Sequence, residues 1–549
     1  MSALADVKSA AVAEQLDRLP DKERVVDVKT ITGSDAYAEA LIKEPPRLTA
    51  RTIALLGCLL LGCFAQTVNG FDGSLFNGLL ANNQFLTFFG GSASGEWAAI
   101  NSAMYQIGGV CALPFVGPAV DTWGRRVGLA IGAWIIIFGT IINGTSVFGG
   151  ADAQLKGGRF LLGFGVSIIA SAGPIYVVET AHPAWRGVVT AYCNTFWFVG
   201  SILASGAVRG ALTLTGNRSW LIPVWLQLFF PGFIVLLVWF IPESPRWLYA
   251  HNKREKAIAT LSKWHGEGRV DSAWVQLQTS EYEEYLNTNG TDRRFWDYSA
   301  LFRNRASRYR IACNCTFVIF AQWAGNGALT YFLVAVLHTA GYRSSITDAN
   351  INLAYSCFQF FFALCGAALV ERVGRRPLMI GSMTGCCIVW IGMTIATSRL
   401  AASNDTDKAA GQAALAMIFL FGASFSIGIT PLQALYPVEV LSYEMRAKGM
   451  AFSSLAVNAG GLLNQFAWPI SLAKIGWKTY IVFTIWCGIQ AIVFYFVMPE
   501  TRKRTLEELD RIFEARNPVK ASLATREIAI DAEGTIIASE VNPVVDAKV

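Results

Sequence analysis

Apolar residues occur in twelve continuous runs, each long enough to cross a membrane as a helix. About 20 apolar residues are needed to span the roughly 30 Å hydrocarbon core. The runs are approximately Ile53–Phe76, Ala98–Val120, Val127–Phe148, Gly158–Val178, Val188–Leu212, Leu221–Ile241, Ile311–Leu337, Ile351–Val370, Leu378–Ser398, Ala413–Tyr436, Met450–Leu472 and Thr479–Val497. The sequence therefore predicts an all-α membrane protein with twelve transmembrane helices, called spans one to twelve below.

Composition excludes most other classes of protein. Only 15% of the residues are charged and 53% are hydrophobic, whereas soluble domains carry about 25% charged residues. The net charge of +6 comes mainly from short segments between apolar runs, which is a membrane pattern and not a nucleic-acid footprint. The eleven cysteines lack companions at metal-ligand spacing, so no metal site is expected.

Charge placement predicts the topology. Lys and Arg concentrate in the connections after spans two, four, six, eight and ten, and such connections remain in the cytosol. The expected organisation is a cytosolic tail at 1–51, a six-helix half at 52–241, a cytosolic linker with short helices at 242–310, a second half at 311–498 and a cytosolic tail at 499–549. We expect a multi-pass protein of the plasma membrane, with the lipid bilayer as its environment.

The two sets of six spans repeat each other. The motif acid-x-x-Gly-Arg-Arg begins at Asp121 after span two and at Glu371 after span eight. Glu179 and Glu439 each precede an arginine by seven residues, and Pro-Glu-Ser after span six matches Pro-Glu-Thr after span twelve. These matched pairs predict two halves related by a pseudo-two-fold axis, with a binding site between them.

At these motifs the sequence resembles the sugar porter family of the major facilitator superfamily. The motifs that carry the resemblance are Gly117-x-x-x-Asp121-x-x-Gly124-Arg125-Arg126, Gly158-Arg159-x-x-x-Gly163-x-Gly165, Pro174-x-Tyr176-x-x-Glu179-x-x-x-Pro183-x-x-Arg186-Gly187, Pro242-Glu243-Ser244-Pro245-Arg246 and Pro499-Glu500-Thr501. The resemblance implies the major facilitator fold and transport by alternating access. Span seven, with Gln322-Trp323-Ala324-Gly325-Asn326-Gly327, looks most like the fungal lactose permease and disaccharide transporter branch.

A carboxylate inside span one is the expected site of proton coupling. Asp72 costs roughly 3 kcal/mol to insert, so it must be paired, protonated or exposed to a water-filled cavity, unless it caps a helix end. The resemblance places Asp72 beside Arg159 of span four as a proton switch, in which protonation of the acid dissolves the pair.

The repeated motifs also imply charge networks at the cytosolic ends of the spans. Arginine suits this role because its planar fork binds carboxylates and helix ends with several hydrogen bonds. An alternative is that the arginines only fix the topology. The resemblance assigns the gating network to Asp121, Arg125, Glu179, Arg186, Glu371, Arg375, Glu439 and Arg446.

Sugar recognition requires side chains that donate and accept hydrogen bonds. By position in the family pattern, the sugar-binding candidates are Asn194, Gln322, Asn326, Gln359, Gln433, Ala434 and Asn458. Each amide has an alternative use as a hydrogen-bonding partner of a neighbouring helix. Ala434 stands where hexose porters have a tryptophan, and the smaller side chain leaves room for a second sugar ring.

These observations predict a proton-coupled symporter that imports a disaccharide such as lactose or cellobiose. It is not expected to be an enzyme, to bind a cofactor other than the co-transported proton, to bind nucleic acid, or to need an obligate protein partner. The alternatives are a hexose transporter, either proton-coupled or a passive uniporter, and a sugar receptor that does not transport.

Overall fold

A computed structural model gives the structure of the chain. It describes residues 27–542 with gaps at 32–34, 92–95, 149–150, 290–298, 328, 330–332, 334–344, 404–406, 503, 505, 524 and 531–535. Some side chains within described helices also lie outside the description, and those of Glu371, Ala434 and Arg446 are among them.

Long helices form both halves of the protein. Spans one to six are Ala50–Leu80, Glu96–Cys111 continued by Leu113–Gly117 and the π-helical turn Pro118–Thr122, Arg125–Gly144, Ala151–Thr180, Arg186–Ala211, and Arg218–Leu226 with Phe229–Leu237. Spans seven to twelve are Arg305–Trp323, Ser345–Val373, Arg375–Ala402, Lys408–Val440, Tyr443–Ile475, and Thr479–Val497 after the short turn Gly476–Lys478. Asn83–Phe89 and Thr145–Phe148 are short helices between spans.

Within the described residues, nine helices are long and apolar enough to cross a membrane, and span two is a tenth if its two parts, bent by 48°, are counted together. Spans seven and eleven are the two predicted spans that do not reach this apolarity. They carry polar residues such as Gln322, Asn458 and Asn464, which face other helices and a cavity. The prediction of an all-α membrane body is confirmed.

The segment after span six forms helices that cover one end of the bundle, called the linker face below. These helices are Pro245–Ala250, Arg254–Trp264 and Ala273–Asn289. The N-terminal helix Asp35–Lys43 packs on the last of them, where the rings of Tyr37 and Trp274 lie 5.6 Å apart. The Trp274 indole also donates a hydrogen bond to the Glu44 carbonyl oxygen at 2.8 Å.

The C-terminal segment returns to the same end. Its helix Leu506–Glu514 is held by an ion pair of 2.6 Å between Arg310 and Asp510. A turn at Ser299–Phe302 and a helix at Pro518–Ser522 complete this region. The two tails also form an antiparallel sheet in the order β1 (Asp27–Ile31), β2 (Thr525–Ile530), β3 (Ile536–Asn542). These strands were not predicted from the sequence, because they are short and lie in polar tails.

Candidate transport site

A cavity of about 210 Å³ lies between the two halves. Five of the seven predicted sugar-binding residues line it, namely Asn194, Gln322, Asn326, Gln433 and Asn458. The structure therefore brings together amides from spans five, seven, ten and eleven. The side chain of the sixth candidate, Ala434, lies outside the described residues.

Gln359 does not line this cavity. Together with Tyr355 and Ser356 it lines a separate small cavity between spans one, five and eight. Gln359 packs against Gly422 of span ten, where an added Cβ would lie 3.1 Å from Gln359 Cγ, and Ser356 hydrogen-bonds Ser201 of span five at 3.2 Å. A position in the family pattern could not reveal this placement of Gln359, because it depends on how span eight packs.

Two of the predicted sugar-binding amides connect the halves. Asn194 donates to the carbonyl oxygen of Thr430 across the interface. The Asn458 amide donates to Ser167 Oγ of the first half at 3.2 Å, and also to the Ser454 carbonyl oxygen at 2.8 Å within its own helix. In this conformation these two amides serve the helix-to-helix role that the sequence left open.

Part of the cavity wall was not predicted from the sequence. Gln66 and Asn69 of span one, Tyr105 and Gln106 of span two, and Trp197 of span five also line the cavity. Amides in the middle of apolar spans are a detectable signal, since they are costly in hydrocarbon unless they face a partner or a cavity. Gln66 and Asn69 are also three residues apart, which places them on one helix face.

Asp72 is buried in the first half, with a side chain of span six as its partner. Its Oδ1 accepts a hydrogen bond of 2.7 Å from Gln227 Nε2, and the two residues are 2% and 5% exposed. Its Oδ2 is buried and has no hydrogen-bond partner among the described residues. A carboxylate with one free buried oxygen is chemically suited to take up and release a proton.

Arg159 lies close to Asp72 without forming a direct ion pair with it in the described structure. Its Nε donates to the Asn101 carbonyl oxygen at 2.7 Å, and its guanidinium lies 3.9 Å from the centre of the Phe76 ring. The charge still acts on Asp72 through space. The predicted pairing is thus replaced by a hydrogen bond from Gln227 to the acid, with Arg159 as a nearby cation.

The first repeated motif forms a buried network at the linker face. Arg125 donates to both carboxylate oxygens of Glu179, at 2.8 and 3.2 Å, and to Asp121 at 3.2 Å. Ser244 Oγ donates to Glu179 at 2.7 Å. Glu243 accepts from the backbone N–H groups of Arg125 and Arg126 at 3.2 and 3.3 Å, so it caps the N-terminus of span three.

The second motif forms the same contacts among its described side chains. Arg375 donates to both oxygens of Glu439, at 3.2 and 2.7 Å, and Thr501 Oγ1 donates to Glu439 at 2.6 Å. Glu500 accepts from the backbone N–H groups of Arg375 and Arg376 at 2.9 and 3.1 Å. Glu243 and Glu500 belong to the Pro-Glu-Ser and Pro-Glu-Thr segments, which the sequence marked as repeats without indicating their capping role.

Three members of the predicted network are not placed within it. The side chains of Glu371 and Arg446 lie outside the described residues. Arg186 Nε is buried without a hydrogen-bond partner in the described part of the chain. Arg186 instead acts electrostatically on His182 and His265, which lie beneath the linker helices.

His265 connects the end of span four to the linker. Its Nε2 lies 3.1 Å from the Thr180 carbonyl oxygen, and its Nδ1 lies 3.0 Å from Gln278 Nε2. The His182 ring is 5.3 Å away, and His182 Nδ1 accepts from the backbone N–H of Ala184 at 3.3 Å. Burial lowers the pKa of His265 to about 4 and the pKa of His182 to about 3. Both rings are therefore neutral at neutral pH.

The halves contact each other on both sides of the cavity. At the linker face, Val438, Leu441 and Met445 of the second half join the apolar core of the first half. On the opposite side, Arg209 donates to Asn350 at 2.8 Å and Asn352 donates to Ser205 at 3.3 Å. The cavity thus lies between contacts of span five with span eight on one side and contacts of the first half with the adjoining ends of spans ten and eleven at the linker face.

Comparisons with known proteins identify the class. A family model described as "Sugar (and other) transporter" matches residues 58–513, so the chain belongs to that family. It is a transporter of the major facilitator superfamily and not an enzyme. The chain is 27% identical over 465 residues to the MFS-type transporter oryC of Aspergillus oryzae, covering 82% of this chain and 83% of that protein. It is also 27% identical over 478 residues to the high-affinity glucose transporter of Kluyveromyces lactis, covering 82% and 84%.

Solved structures show the same fold. The proton:xylose symporter XylE bound to 6-bromo-6-deoxy-D-glucose superposes with a TM-score of 0.72 at 19% identity, covering 84% of this chain and 100% of that chain. The inward open conformation of XylE from E. coli has a lower TM-score of 0.63, over the same shares of the chains. The predicted major facilitator fold is confirmed.

Proposed function

We propose that the protein is a proton-coupled sugar symporter that works by alternating access. The observation that carries this proposal is Asp72, a buried carboxylate with one oxygen bound by Gln227 and the other free, close to Arg159. Burying a carboxylate in a membrane span costs free energy, and such residues are therefore rare and mark functional sites. One proton moving down the membrane potential supplies roughly 2.3 kcal/mol per 100 mV, about fiftyfold in accumulation.

Alternating access requires contacts that can open on one side at a time. The networks around Arg125 and Arg375 lie within each half, and they hold the ends of spans two to four and eight to ten together. In the proposed cycle they stabilise the state closed at the linker face, and their rearrangement accompanies opening there. Protonation of Asp72 removes its charge, which weakens the attraction of Arg159 and permits the helices to move.

The proposed orientation places the linker and both tails in the cytosol of a plasma-membrane protein. Asn289 lies in a glycosylation sequon on the linker helix, and Asn217 begins another in the connection between spans five and six. In a glycosylating host, Asn289 should stay unmodified. A glycan on Asn289 would show that the linker lies on the opposite side of the membrane from the one proposed. Asn143, a further sequon in the sequence, is 6% exposed at the end of span three and is too buried to accept a glycan.

For the cargo we propose a disaccharide such as lactose or cellobiose, on the ground that Ala434 replaces a tryptophan of hexose porters. A monosaccharide is the second candidate. The cavity of about 210 Å³ is smaller than the roughly 300–1,000 Å³ typical of pockets for drug-sized ligands, and a glucose transporter is among the relatives.

The test is uptake of labelled glucose, lactose, cellobiose and maltose by the purified protein in liposomes, with and without an inward proton gradient. Accumulation above equilibrium that a protonophore abolishes supports symport. Uptake that stops at equal sugar concentrations inside and outside, and that the protonophore does not change, would indicate a uniporter. Sugar binding without uptake would indicate a receptor.

A further inference from the structure

The central cavity has a polar wall on the first half as well as on the second. Gln322, Asn326 and Gln433 belong to the second half, whereas Gln66, Gln106 and Trp197 belong to spans one, two and five of the first half. The family pattern assigned no sugar contact to these three residues. They lie on three different helices and converge on the same space.

The two glutamines have unused hydrogen-bonding capacity. Gln66 is 5% exposed, and its side chain makes no hydrogen bond in the described structure. Gln106 is 6% exposed, and its Oε1 is buried without a partner among the described residues. Leaving a buried polar atom unpaired costs about 1–3 kcal/mol. Such atoms in a cavity wall are explained if a ligand supplies the missing donors and acceptors.

Trp197 offers an aromatic surface beside these amides. Its backbone is fixed where spans one and five approach closely, since a Cβ on Gly70 would collide with the Trp197 carbonyl group. Its indole is half-buried and lines the cavity, and the described residues provide no acceptor for its N–H group. An indole thus presents a flat apolar face together with one donor, which matches the apolar face and hydroxyl rim of a pyranose ring.

The candidate amide of span five, Asn194, already has a hydrogen-bond partner in the protein. Asn194 donates to the Thr430 carbonyl oxygen and so connects the halves. Gln66, Gln106 and Trp197 are therefore the first-half candidates for recognition. The Gln106 amide also packs against Gly461 of span eleven, where a Cβ would lie 2.9 Å from Gln106 Cδ, so the two walls meet at this point.

We propose that Gln66, Gln106 and Trp197 form a second sugar-ring subsite, which binds one hexopyranose ring of a disaccharide while Gln322, Asn326 and Gln433 bind the other. This inference rests on the proposed sugar transport and adds a site on the first half. The glutamines exchange hydrogen bonds with ring hydroxyls, and Trp197 contacts the apolar face of the same ring.

The test is calorimetric binding of cellobiose and of glucose to the purified protein, with the variants Gln66→Leu, Trp197→Ala and Trp197→Phe. Gln66→Leu and Trp197→Ala should weaken cellobiose binding about tenfold or more and glucose binding less than about threefold, because glucose can use the second-half subsite alone. Trp197→Phe should recover part of the loss, since it keeps the aromatic face. Gln412→Leu, the same change at an exposed position of span ten, is the matched control.

Equal losses for both sugars would show a single-ring site, and unchanged cellobiose binding would show that the first half takes no part. Either result overturns the subsite. If the unaltered protein binds glucose but not cellobiose, the second subsite is also overturned, whereas the proposed sugar transport is not. Failure to bind any sugar would overturn the proposed function itself. Thermal unfolding of each variant separates loss of binding from misfolding.

Discussion

Gln227 donates a hydrogen bond of 2.7 Å to Asp72, and this contact connects span six to the buried acid of span one. The acid thus has a neutral partner that holds its position, and a cation, Arg159, that acts on it from a distance. A neutral partner can remain in place when the acid is protonated, whereas a direct ion pair would lose its attraction. Gln227 therefore positions Asp72 in both protonation states, whereas Arg159 responds to the charge of the acid.

Asp72→Asn should abolish accumulation driven by a proton gradient and leave sugar exchange or binding partly intact. The amide keeps the shape of the protonated acid but cannot cycle its charge. Counterflow of labelled sugar in liposomes checks the retained activity. Normal uphill accumulation by the variant would show that Asp72 is not the coupling site.

Gln227→Leu should destabilise the protein by about 1–3 kcal/mol, because it leaves a buried carboxylate without its donor. Combined with Asp72→Asn, the loss should be smaller than the sum of the two single losses, by roughly 0.5–3 kcal/mol. Thermal unfolding of the four proteins in the cycle measures the coupling. Strict additivity would mean that the hydrogen bond contributes nothing to stability.

Gly124→Ala and Gly374→Ala should each weaken the cap that precedes spans three and nine. Their φ angles are +103° and +107°, and a Cβ at either position would lie 2.6 Å from the capping oxygen of Glu243 or Glu500. We expect a loss of about 1–3 kcal/mol from backbone strain for each variant. Gly381→Ala is the matched control, since nothing lies within 4 Å of its added Cβ. Losses equal to that of the control would contradict the capping geometry.

The linker should dock less firmly as the pH falls. The pKa of folded His265 is about 4, below the value of about 6.5 for a free histidine. The unfolded or undocked state therefore binds more protons below pH 6.5, and the stabilisation present above that pH is lost on acidification. Between pH 7.5 and 5.5 the loss is about 1.4 kcal/mol for one such histidine.

Thermal unfolding at the two pH values checks this expectation. His265→Gln should flatten the pH dependence by about half, and the further change His182→Gln should flatten it again, because the pKa of His182 is also lowered, to about 3. An unchanged pH dependence in the double variant would assign it to other groups.

Ala434→Trp should distinguish the two candidate cargoes. The added indole must occupy space or displace a neighbour, because binding-site walls are packed. Disaccharide binding should fall more than glucose binding, through a clash with the second ring. Equal losses at unchanged surface expression, or an unaffected disaccharide, would remove the reason for proposing a disaccharide.

The sequence by itself determined the membrane class, the helical fold, the two repeated halves and the family. These depend on apolar run length and on motif spacing, which are local properties of the chain. By position in the family pattern it also selected five of the eight amide side chains that line the cavity.

Tertiary structure alone decided which polar groups meet. Gln227 is 155 residues from Asp72, and no local pattern specifies that spans one and six bring them together. Helix packing placed Gln359 outside the central cavity and Gln66 and Gln106 in its wall. The capping roles of Glu243 and Glu500 likewise required the end of each half to fold back on its third helix. Side-chain contacts of this kind depend on how helices rotate and pack against one another, which spacing along the chain does not fix.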